Sequence, residues 1–228
     1  MNAGDLSVGV VMPVRNGADT LAAAILSVSG QNPTPADIIV IDGGSEDGSA
    51  ALAASFPGVR VIAQAGRGLA AARNQGLRVV AGEVVAFCDA DDRWTAGALA
   101  VRLNHLAAKP ACGAVIGHAE NVLFDGGAAT PQQVSRLGHV APGYTPGALM
   151  ARRAAFEAVG PFDEELAIGA DSNWFVRLTQ SAVRLDVLRA LVLHKGTRAS
   201  SLSADVTTYR RELLLVARRF LDRRRSEP

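Results

Sequence analysis

An apolar run that ends abruptly in three carboxylates occupies Val84-Val85-Ala86-Phe87-Cys88-Asp89-Ala90-Asp91-Asp92-Arg93-Trp94. Its first five residues are typical of a buried strand, because the run is too short for an independent helix. Ionised carboxylates are too costly to bury unpaired in an apolar core, so Asp89, Asp91 and Asp92 are predicted at the mouth of that strand. In an open α/β sheet, ligands bind at the carboxyl ends of the strands. The stretch therefore predicts a ligand crevice.

Three like charges within four residues repel one another, and a divalent cation with oxygen ligands relieves that repulsion. Mg²⁺ or Mn²⁺ held by one or two carboxylates usually shares its other positions with water and substrate phosphates. The plain alternative is an acidic helix N-terminus, in which Asp92 caps a helix that begins near Thr95. An EF-hand is excluded, because Arg93 and Trp94 stand where the next acidic ligand and the glycine of that loop belong.

The composition is that of a globular chain of 228 residues, long enough for one large α/β domain or two small ones. Apolar residues make up 49%, which allows a sizeable core, and the net charge of +1 gives no argument for a nucleic-acid partner. Cys88 and Cys112 each lie in an apolar run and are expected to be core residues rather than a disulfide. We find no pattern of a signal peptide or a transmembrane helix and expect a cytoplasmic protein.

Strand and helix patterns alternate along the chain up to Trp94, which predicts a mostly parallel sheet with right-handed crossovers. The predicted strands are 8–12, 37–41, 59–62 and 84–88, and the predicted helices are 20–29, 45–55 and 69–80. The strand mouths then bring three polar groups to one edge of the sheet: the turn Pro13–Asn16, Asp42 and the acidic residues 89–92. This convergence strengthens the prediction of a crevice at that edge.

Beyond Trp94 the regular alternation of strand and helix patterns ends. Helices are predicted at 96–108, 152–159, 168–181 and 209–225, and strands at 112–117, 147–150 and 187–193. Residues 118–144 have no clear periodicity and are predicted to form a long loop of the kind that is usually functional or mobile. The last helix sets the apolar residues Leu213, Leu214, Val216 and Phe220 against seven arginines. Two interpretations stay open: the apolar stripe docks on the domain, or the helix binds a membrane surface or a partner.

Four motifs, in this order and spacing, resemble glycosyltransferase family 2, the inverting transferases of GT-A fold. The motifs are VVMPVRNG at 10–17, IDGGSEDGS at 41–49, GLAAARNQG at 68–76 with GE at 82–83 and DADD at 89–92, and RAAFEAVGPFDE at 153–164. The resemblance extends from Val8 to about His194. It implies one domain, 1–228, with a Rossmann-like, mostly parallel sheet. Residues 1–95 would form the half that binds the nucleotide-sugar, and residues 96–228 the half that binds the acceptor and carries the basic C-terminal helix.

The resemblance also implies roles for individual residues on the donor side. Asp42 would accept a hydrogen bond from the base, which suits the N3–H of uracil, and Arg73 would meet the diphosphate. Asp91 would ligate Mn²⁺ or Mg²⁺, and His194 matches the position of a late metal or diphosphate contact, although a structural role for this histidine stays open. The remaining residues implied for the nucleotide and the metal are Pro13, Val14, Arg15, Asn16, Asp89 and Ala90.

On the acceptor side, the acidic pair of the family is commonly Glu-Asp, and here it is Ala170-Asp171. Asp171 is the predicted general base, with an N-cap of the following helix as its alternative. A positioned carboxylate can assist loss of the acceptor proton by ~10²–10⁴-fold, and a cation neutralises the diphosphate leaving group. Arg73 and Arg67 can add positive charge there. Direct in-line attack inverts the anomeric centre and needs no protein nucleophile.

The predicted function is sugar transfer from a nucleoside-diphosphate sugar, with a UDP-sugar favoured, to a glycan, lipid-linked or small-molecule acceptor. A peripheral membrane contact through the C-terminal helix belongs to the same prediction. A nucleotidyltransferase would carry a Gly-rich phosphate loop where 13–17 stands, and a dehydrogenase would need G-x-G-x-x-G after strand one. A non-catalytic protein that binds nucleotide-sugars is supported only by Ala170. Trp94 and Trp174 could stack on a sugar or pack in the core.

Overall fold

The computed structural model describes residues 6–124, 129–197 and 205–226. The strands are β1 Val8–Val14, β2 Asp37–Asp42, β3 Val59–Ala63, β4 Val84–Phe87, β5 Arg93–Trp94, β6 Cys112–Val122, β7 Val140–Pro142, β8 Leu149–Arg152 and β9 Arg184–Gly196. The helices are α1 Ala18–Ser29, α2 Ser49–Ala54, α3 Gly68–Val79, α4 Ala98–Ala108, α5 Pro131–Val134, α6 Arg153–Val159, α7 Ala170–Thr179 and α8 Val206–Ser226. A short 3-10 turn, Pro146–Ala148, precedes β8.

The nine strands of the described residues form one sheet in the order β3-β2-β1-β4-β8-β6-β9-β5, with β7 paired to β6. Strands β3, β2, β1 and β4 are parallel, as the alternation of strands and helices predicts. Strand β8 runs antiparallel between β4 and β6, and β9 is parallel to β6. The α/β class is therefore confirmed. The division into halves at residue 95 stays a prediction.

Apolar layers cover both faces of this sheet, because the central strands are apolar at successive positions. Val10 and Met12 of β1 pack in the layer under α1 and α4, whereas Val11 packs in the layer under α3, α6 and α7. Helix α3 lies close to β1 at Gly76, where an added Cβ would fall 2.2 Å from Val11 Cγ1. Only glycine permits this approach, and it fixes the height of α3 above the sheet.

Two sequence predictions about the second half are wrong in their boundaries. The strand predicted at 112–117 continues to Val122, because β9 pairs with it up to Val122↔Gly196 and β7 pairs on its other side. Residues 118–144 are therefore not one long loop, although 125–128 lie outside the described residues.

Asp92 does not cap a helix, since β5 follows it and α4 begins at Ala98 with Gly97 as its N-cap.

Candidate active site

Arg73 of α3 joins two carboxylates that come from distant parts of the chain. Its Nη2 lies 2.8 Å from both oxygens of Asp89, at the end of β4, and its Nη1 lies 2.5 Å from Oδ1 of Asp171, in the first turn of α7. The Arg73 side chain is 1% exposed, against 16% for Asp89 and 25% for Asp171. A buried guanidinium requires such compensation. The structure thus holds these two predicted residues in one site, with Arg73 beneath them rather than in the open crevice.

The two carboxylates that share this guanidinium have pKa values shifted in opposite directions. Burial favours the neutral form of Asp89, but Arg73 and then Lys195 outweigh it and hold the pKa of Asp89 below its ordinary value. Burial raises the pKa of Asp171, and the Asp89 charge adds to this against the pull of Arg73. Pairs of carboxylates that are pushed apart in this way suit different chemical roles. Asp171 is the more basic and the more exposed of the two.

Lys195 of β9 is a charged residue of this site that no sequence motif indicated. The neighbouring Gly196 N–H donates to Asp92 Oδ1 at 2.9 Å, which brings the end of β9 against the acidic cluster. Asp92, followed by Asp89 and Asp91, raises the pKa of the Lys195 ammonium group. The signal that could have indicated Lys195 is strand alternation: successive side chains of a strand point to opposite faces, so Lys195 and His194 face different sides.

His194, the residue before it, lies beside a carboxylate of a neighbouring strand. Its Nε2 lies 3.4 Å from Oε2 of Glu120, on the neighbouring strand β6. The structural role that the sequence left open for this histidine therefore has a defined partner. The metal-contact role stays a prediction.

Four carboxylates meet two cationic side chains around this crevice, namely Asp89, Asp91, Asp92 and Asp171 with Arg73 and Lys195. Asp92 is 1% exposed, and its Oδ2 has no hydrogen-bond partner among the described residues. Burial, with repulsion from Asp91 and Asp89, raises its pKa to about 7 against the attraction of Lys195. An excess of carboxylate oxygens with an orphaned buried acceptor is a donor set that fits a hard divalent cation.

The raised pKa of Asp92 leads to a pH-dependent stability in metal-free protein. Its folded pKa of about 7 lies above the ordinary value, so the stabilisation that the protonated group contributes is complete below about pH 4 and is lost as the pH rises through about 7. In EDTA, we expect the melting temperature of wild type to fall relative to Asp92→Asn between about pH 5 and about pH 8. Mn²⁺ should narrow that gap. Parallel curves for the two proteins would contradict this account.

The turn after β1 and the loop after β2 form a second part of the crevice. The Gly43 N–H donates to the Val14 carbonyl at 2.8 Å, and the Glu46 N–H donates to Asn16 Oδ1 at 2.9 Å. Asn16 adopts a positive φ of 50°, an unusual conformation outside glycine. Pro13 and Val14 are buried and Arg15 and Asn16 exposed, so only part of the predicted pocket wall faces solvent.

Asp42 lies at the bottom of this loop pair and is 8% exposed. Its Oδ2 accepts hydrogen bonds from the backbone N–H groups of Gly44 and Ser45, both at 3.2 Å. Its Oδ1 is buried with no partner in the described part of the chain. Buried acceptors are normally satisfied, so this atom suits an N–H group of a ligand.

The structure settles several alternatives for other residues. Asp171 is not an N-cap, because Gly169 holds that position in α7. Trp94 and Trp174 are buried in the two apolar layers, which confirms core packing. Ala90 is buried, and Arg67 is exposed as the N-cap of α3. Cys88 and Cys112 are buried free thiols, as predicted.

A second group of potential metal ligands lies where β6 and β9 begin, while the acidic cluster lies where β9 ends. His105, Cys112 and Asp186 offer ligand atoms within 4.8 Å of one another. Asp186, however, already pairs with Arg184 at 2.9 Å and Lys109 at 3.2 Å, besides His105 at 2.8 Å. These cations disfavour a metal ion, and the group is a structural ion cluster.

Helix α8 docks on the domain through one side and exposes apolar residues on the other. Val216 is buried against the α7 side, whereas Leu214 is 74% exposed and Leu221 is also exposed, beside the exposed Arg211 and Arg218. In the ranges that the structure describes, no helix has both the length and the apolar character needed to cross a bilayer. The peripheral membrane contact stays a prediction.

The carboxyl ends of the parallel strands β1, β2 and β4 lie on the side of the carboxylate on the later helix α7, and open α/β sheets bind ligands at that edge. A sequence profile described as Glycosyl transferase family 2 matches residues 9–160, about two thirds of the chain. The chain belongs to glycosyl transferase family 2, which confirms the resemblance.

Curated relatives support the same assignment. The succinoglycan biosynthesis protein ExoU of Rhizobium meliloti (strain 1021) is 28% identical over 231 residues, which covers 90% of this chain and 66% of that protein. WfgD of Escherichia coli, a UDP-Glc:alpha-D-GlcNAc-diphosphoundecaprenol beta-1,3-glucosyltransferase, is 31% identical over 103 residues, which covers 44% of this chain and 41% of that protein. The uncharacterized glycosyltransferase YibD of Escherichia coli (strain K12) is 39% identical over 87 residues, 36% of this chain and 25% of that protein. The chain thus spans between 25% and 66% of the length of these relatives.

Solved structures share the fold. TarS 1-349 of S. aureus in complex with UDP-GlcNAc superposes with a TM-score of 0.70 at 16% identity, covering 87% of this chain and 61% of that one. Mannosyl-3-phosphoglycerate synthase from Rubrobacter xylanophilus gives a TM-score of 0.69 at 20% identity, covering 98% and 77%. The likeness confirms the expected GT-A fold.

Proposed function

We propose that this chain is a metal-assisted, inverting glycosyltransferase that uses a UDP-sugar, with Asp171 as general base. One observation carries the proposal: Arg73 binds Asp89, at the mouth of the donor-side strand β4, and Asp171, on the later helix α7, within one site. A donor bound along the strand mouths would therefore present its reacting carbon near a basic carboxylate. This placement favours an enzyme over the non-catalytic alternative.

The donor side is proposed from Asp42 and the turn after β1. The orphaned Asp42 Oδ1 would accept the N3–H of uracil, and the exposed Arg15 and Asn16 would border the nucleoside. TarS, which has the same fold, was solved with UDP and with UDP-GlcNAc. This supports a uridine nucleotide as the first ligand to test.

Asp91 and Asp92, with Asp89, would hold the divalent cation, and Lys195 would lie beside it. When bound, that cation supplies Lewis-acid stabilisation of the diphosphate leaving group. Arg73, buried below, holds Asp89 and Asp171 in place. In this proposal Arg73 does not contact the diphosphate, contrary to what the resemblance implied. It acts through the two carboxylates that it holds.

In the reaction, the acceptor oxygen bonds to the anomeric carbon as the bond from that carbon to the diphosphate oxygen breaks. The acceptor proton passes to the Asp171 carboxylate, whose raised pKa makes it a better base. The nucleoside diphosphate leaves with the bonding electron pair. Attack from the face opposite the leaving group inverts the anomeric centre.

The acceptor is proposed to be a glycan or a lipid-linked glycan. The names of ExoU and WfgD place those relatives in succinoglycan synthesis and in glucosyl transfer to a diphosphoundecaprenol-linked sugar. Tyr144, an exposed ring that lies edge-on to Phe175 of α7 at 5.6 Å, is available for a sugar to pack against.

Calorimetric titration with UDP, GDP and TDP, each with Mn²⁺ and with EDTA, tests the proposal. We expect Mn²⁺-dependent binding of UDP, and Asp42→Ala should weaken it by about ten- to a hundredfold, because it removes a charged hydrogen-bond acceptor. Asp19→Asn, at an exposed position of α1, is the control and should bind as wild type does. Folded protein that binds none of the three nucleotides would refute the proposed function.

A further inference from the structure

A carboxylate from another helix binds the backbone that leads into α7, up to its N-cap residue Gly169. Glu212 of α8 is 5% exposed, and its Oε2 accepts hydrogen bonds from the backbone N–H groups of Gly169 at 2.7 Å and Ile168 at 2.9 Å. Its Oε1 accepts a third from Ala167 at 3.0 Å. Burial alone would favour the neutral acid, but these N–H groups outweigh it and hold the pKa of Glu212 below its ordinary value. Glu212 is therefore a fixed anion at this helix end.

The local sequence cannot provide this cap. The first turns of a helix leave backbone N–H groups without intrahelical partners, and a Ser, Thr, Asp or Asn side chain usually binds one of them. In α7 the N-cap is Gly169, which has no side chain, and the next residue, Ala170, is apolar and buried. A Cβ at position 169 would fall 3.1 Å from Glu212 Cβ, so the glycine leaves room for the carboxylate to approach.

Helix α8 is fixed to this segment at further points. Val216, one turn beyond Glu212, is 3% exposed in the apolar layer of α7. Arg219 bonds Asp163 at 2.6 Å and Glu165 at 3.2 Å, both in the segment that leads into α7. One face of α8 thus holds the approach to α7 along its length, and Asp171 follows the capped Gly169 by two residues.

We propose that Glu212 is a positioning residue for the general base, which makes α8 an integral part of the active site. Arg73 holds the Asp171 carboxylate from the side of α3, and Glu212 fixes the backbone that carries it from the side of α8. A base must meet the acceptor hydroxyl within hydrogen-bond reach, and a displacement of about 1 Å can cost on the order of 10²-fold in rate. This inference rests on the proposed function of Asp171.

The test compares Glu212→Ala, Glu212→Gln and Gly169→Ala with the control Glu157→Gln, which alters an exposed carboxylate of α6. The assay follows UDP release from UDP-glucose, UDP-galactose and UDP-GlcNAc, with water in place of the acceptor hydroxyl. We expect kcat to fall on the order of 10–10²-fold in Glu212→Ala and less in Glu212→Gln, which keeps one acceptor oxygen. UDP affinity and donor KM should stay at the wild-type level in these variants, and Glu157→Gln should match wild type in every measurement.

A double-mutant cycle separates positioning from general stabilisation. If Glu212 acts through Asp171, Glu212→Ala should cost nothing further in an Asp171→Asn background, because coupled residues are non-additive. Full additivity, or a rise in donor KM with unchanged kcat, would overturn the inference while leaving the base intact. If Glu212→Ala fails to fold, the same double-mutant cycle with Asp171→Asn is measured for Glu212→Gln and for Gly169→Ala. Wild type that binds UDP but releases none from these donors would refute the proposed function itself, and the inference with it.

Discussion

Replacing Asp171 by asparagine is expected to lower kcat by about 10²–10⁴-fold while UDP binding is retained. Asparagine keeps the shape of the side chain and one oxygen, but it cannot take up the acceptor proton. The carboxylate is one-quarter exposed, and its pKa is raised by burial and then by the Asp89 charge, so it is both accessible and basic. The loss should therefore appear in turnover rather than in donor affinity.

The measurement for Asp171→Asn is steady-state UDP release, together with calorimetric UDP binding on the same preparation. Glu157→Gln is the control, because it removes a carboxylate from an exposed position of α6 without touching the site. Normal turnover in Asp171→Asn would show that another group accepts the proton. Loss of UDP binding in parallel with turnover would instead indicate that the substitution disturbs the whole site.

Replacing Arg73 by methionine is expected to destabilise the fold by about 3–5 kcal/mol, the usual result of removing one partner of a buried ion pair. Methionine retains an unbranched apolar chain, but the Asp89 and Asp171 carboxylates lose their shared cation. Turnover should fall as well, since neither carboxylate is then held. The matched control is Arg60→Met: Arg60 also pairs with an aspartate, Asp37, but is 52% exposed, so its loss should cost at most about 1 kcal/mol.

The pH dependence of the Arg73 variant has a definite sign. In wild type the pKa of Asp89 is depressed, so its stabilisation is present above the unfolded pKa of about 3.9 and is lost as the pH falls through the folded pKa. Removing Arg73 removes this contribution, so the stability gap to wild type should be complete at about pH 7 and should shrink as the pH falls below about 4. Urea unfolding at about pH 7 and at about pH 3 measures the gap. Equal destabilisation by Arg73→Met and Arg60→Met would contradict the buried network.

The donor side of the fold could be predicted from sequence because its signals are local. Each of the first four strands is a short apolar run, and the polar residues at the strand mouths follow within a few positions, as with Asp42 and Asp89. Parallel pairing then places them at one edge. The resemblance added Asp171, whose place beside Asp89 no periodicity could have given.

The features that could not be predicted from the sequence depend on contacts between residues far apart in the chain. Strand β5 has two residues, Arg93–Trp94, and exists because β9 pairs with it. His194 and Lys195 are successive residues of β9, so their side chains point to opposite faces of the strand. Only the pairing of β9 decides which of them lies beside the acidic cluster. Glu212 lies in an arginine-rich helix, where one acidic residue gives no sign that it caps another helix.

The ion pair between Arg73 and Asp171 joins residues 98 positions apart, and this separation bears on how the chain is made. Chains emerge from the ribosome N-terminus first, and segments that fold as units do so in that order. When β1–β4 have emerged, Arg73 has Asp89 available but not Asp171, so its burial is only partly compensated. We therefore expect the nascent chain to reach its final packing only after α7, and the α8 cap that follows it, have been synthesised.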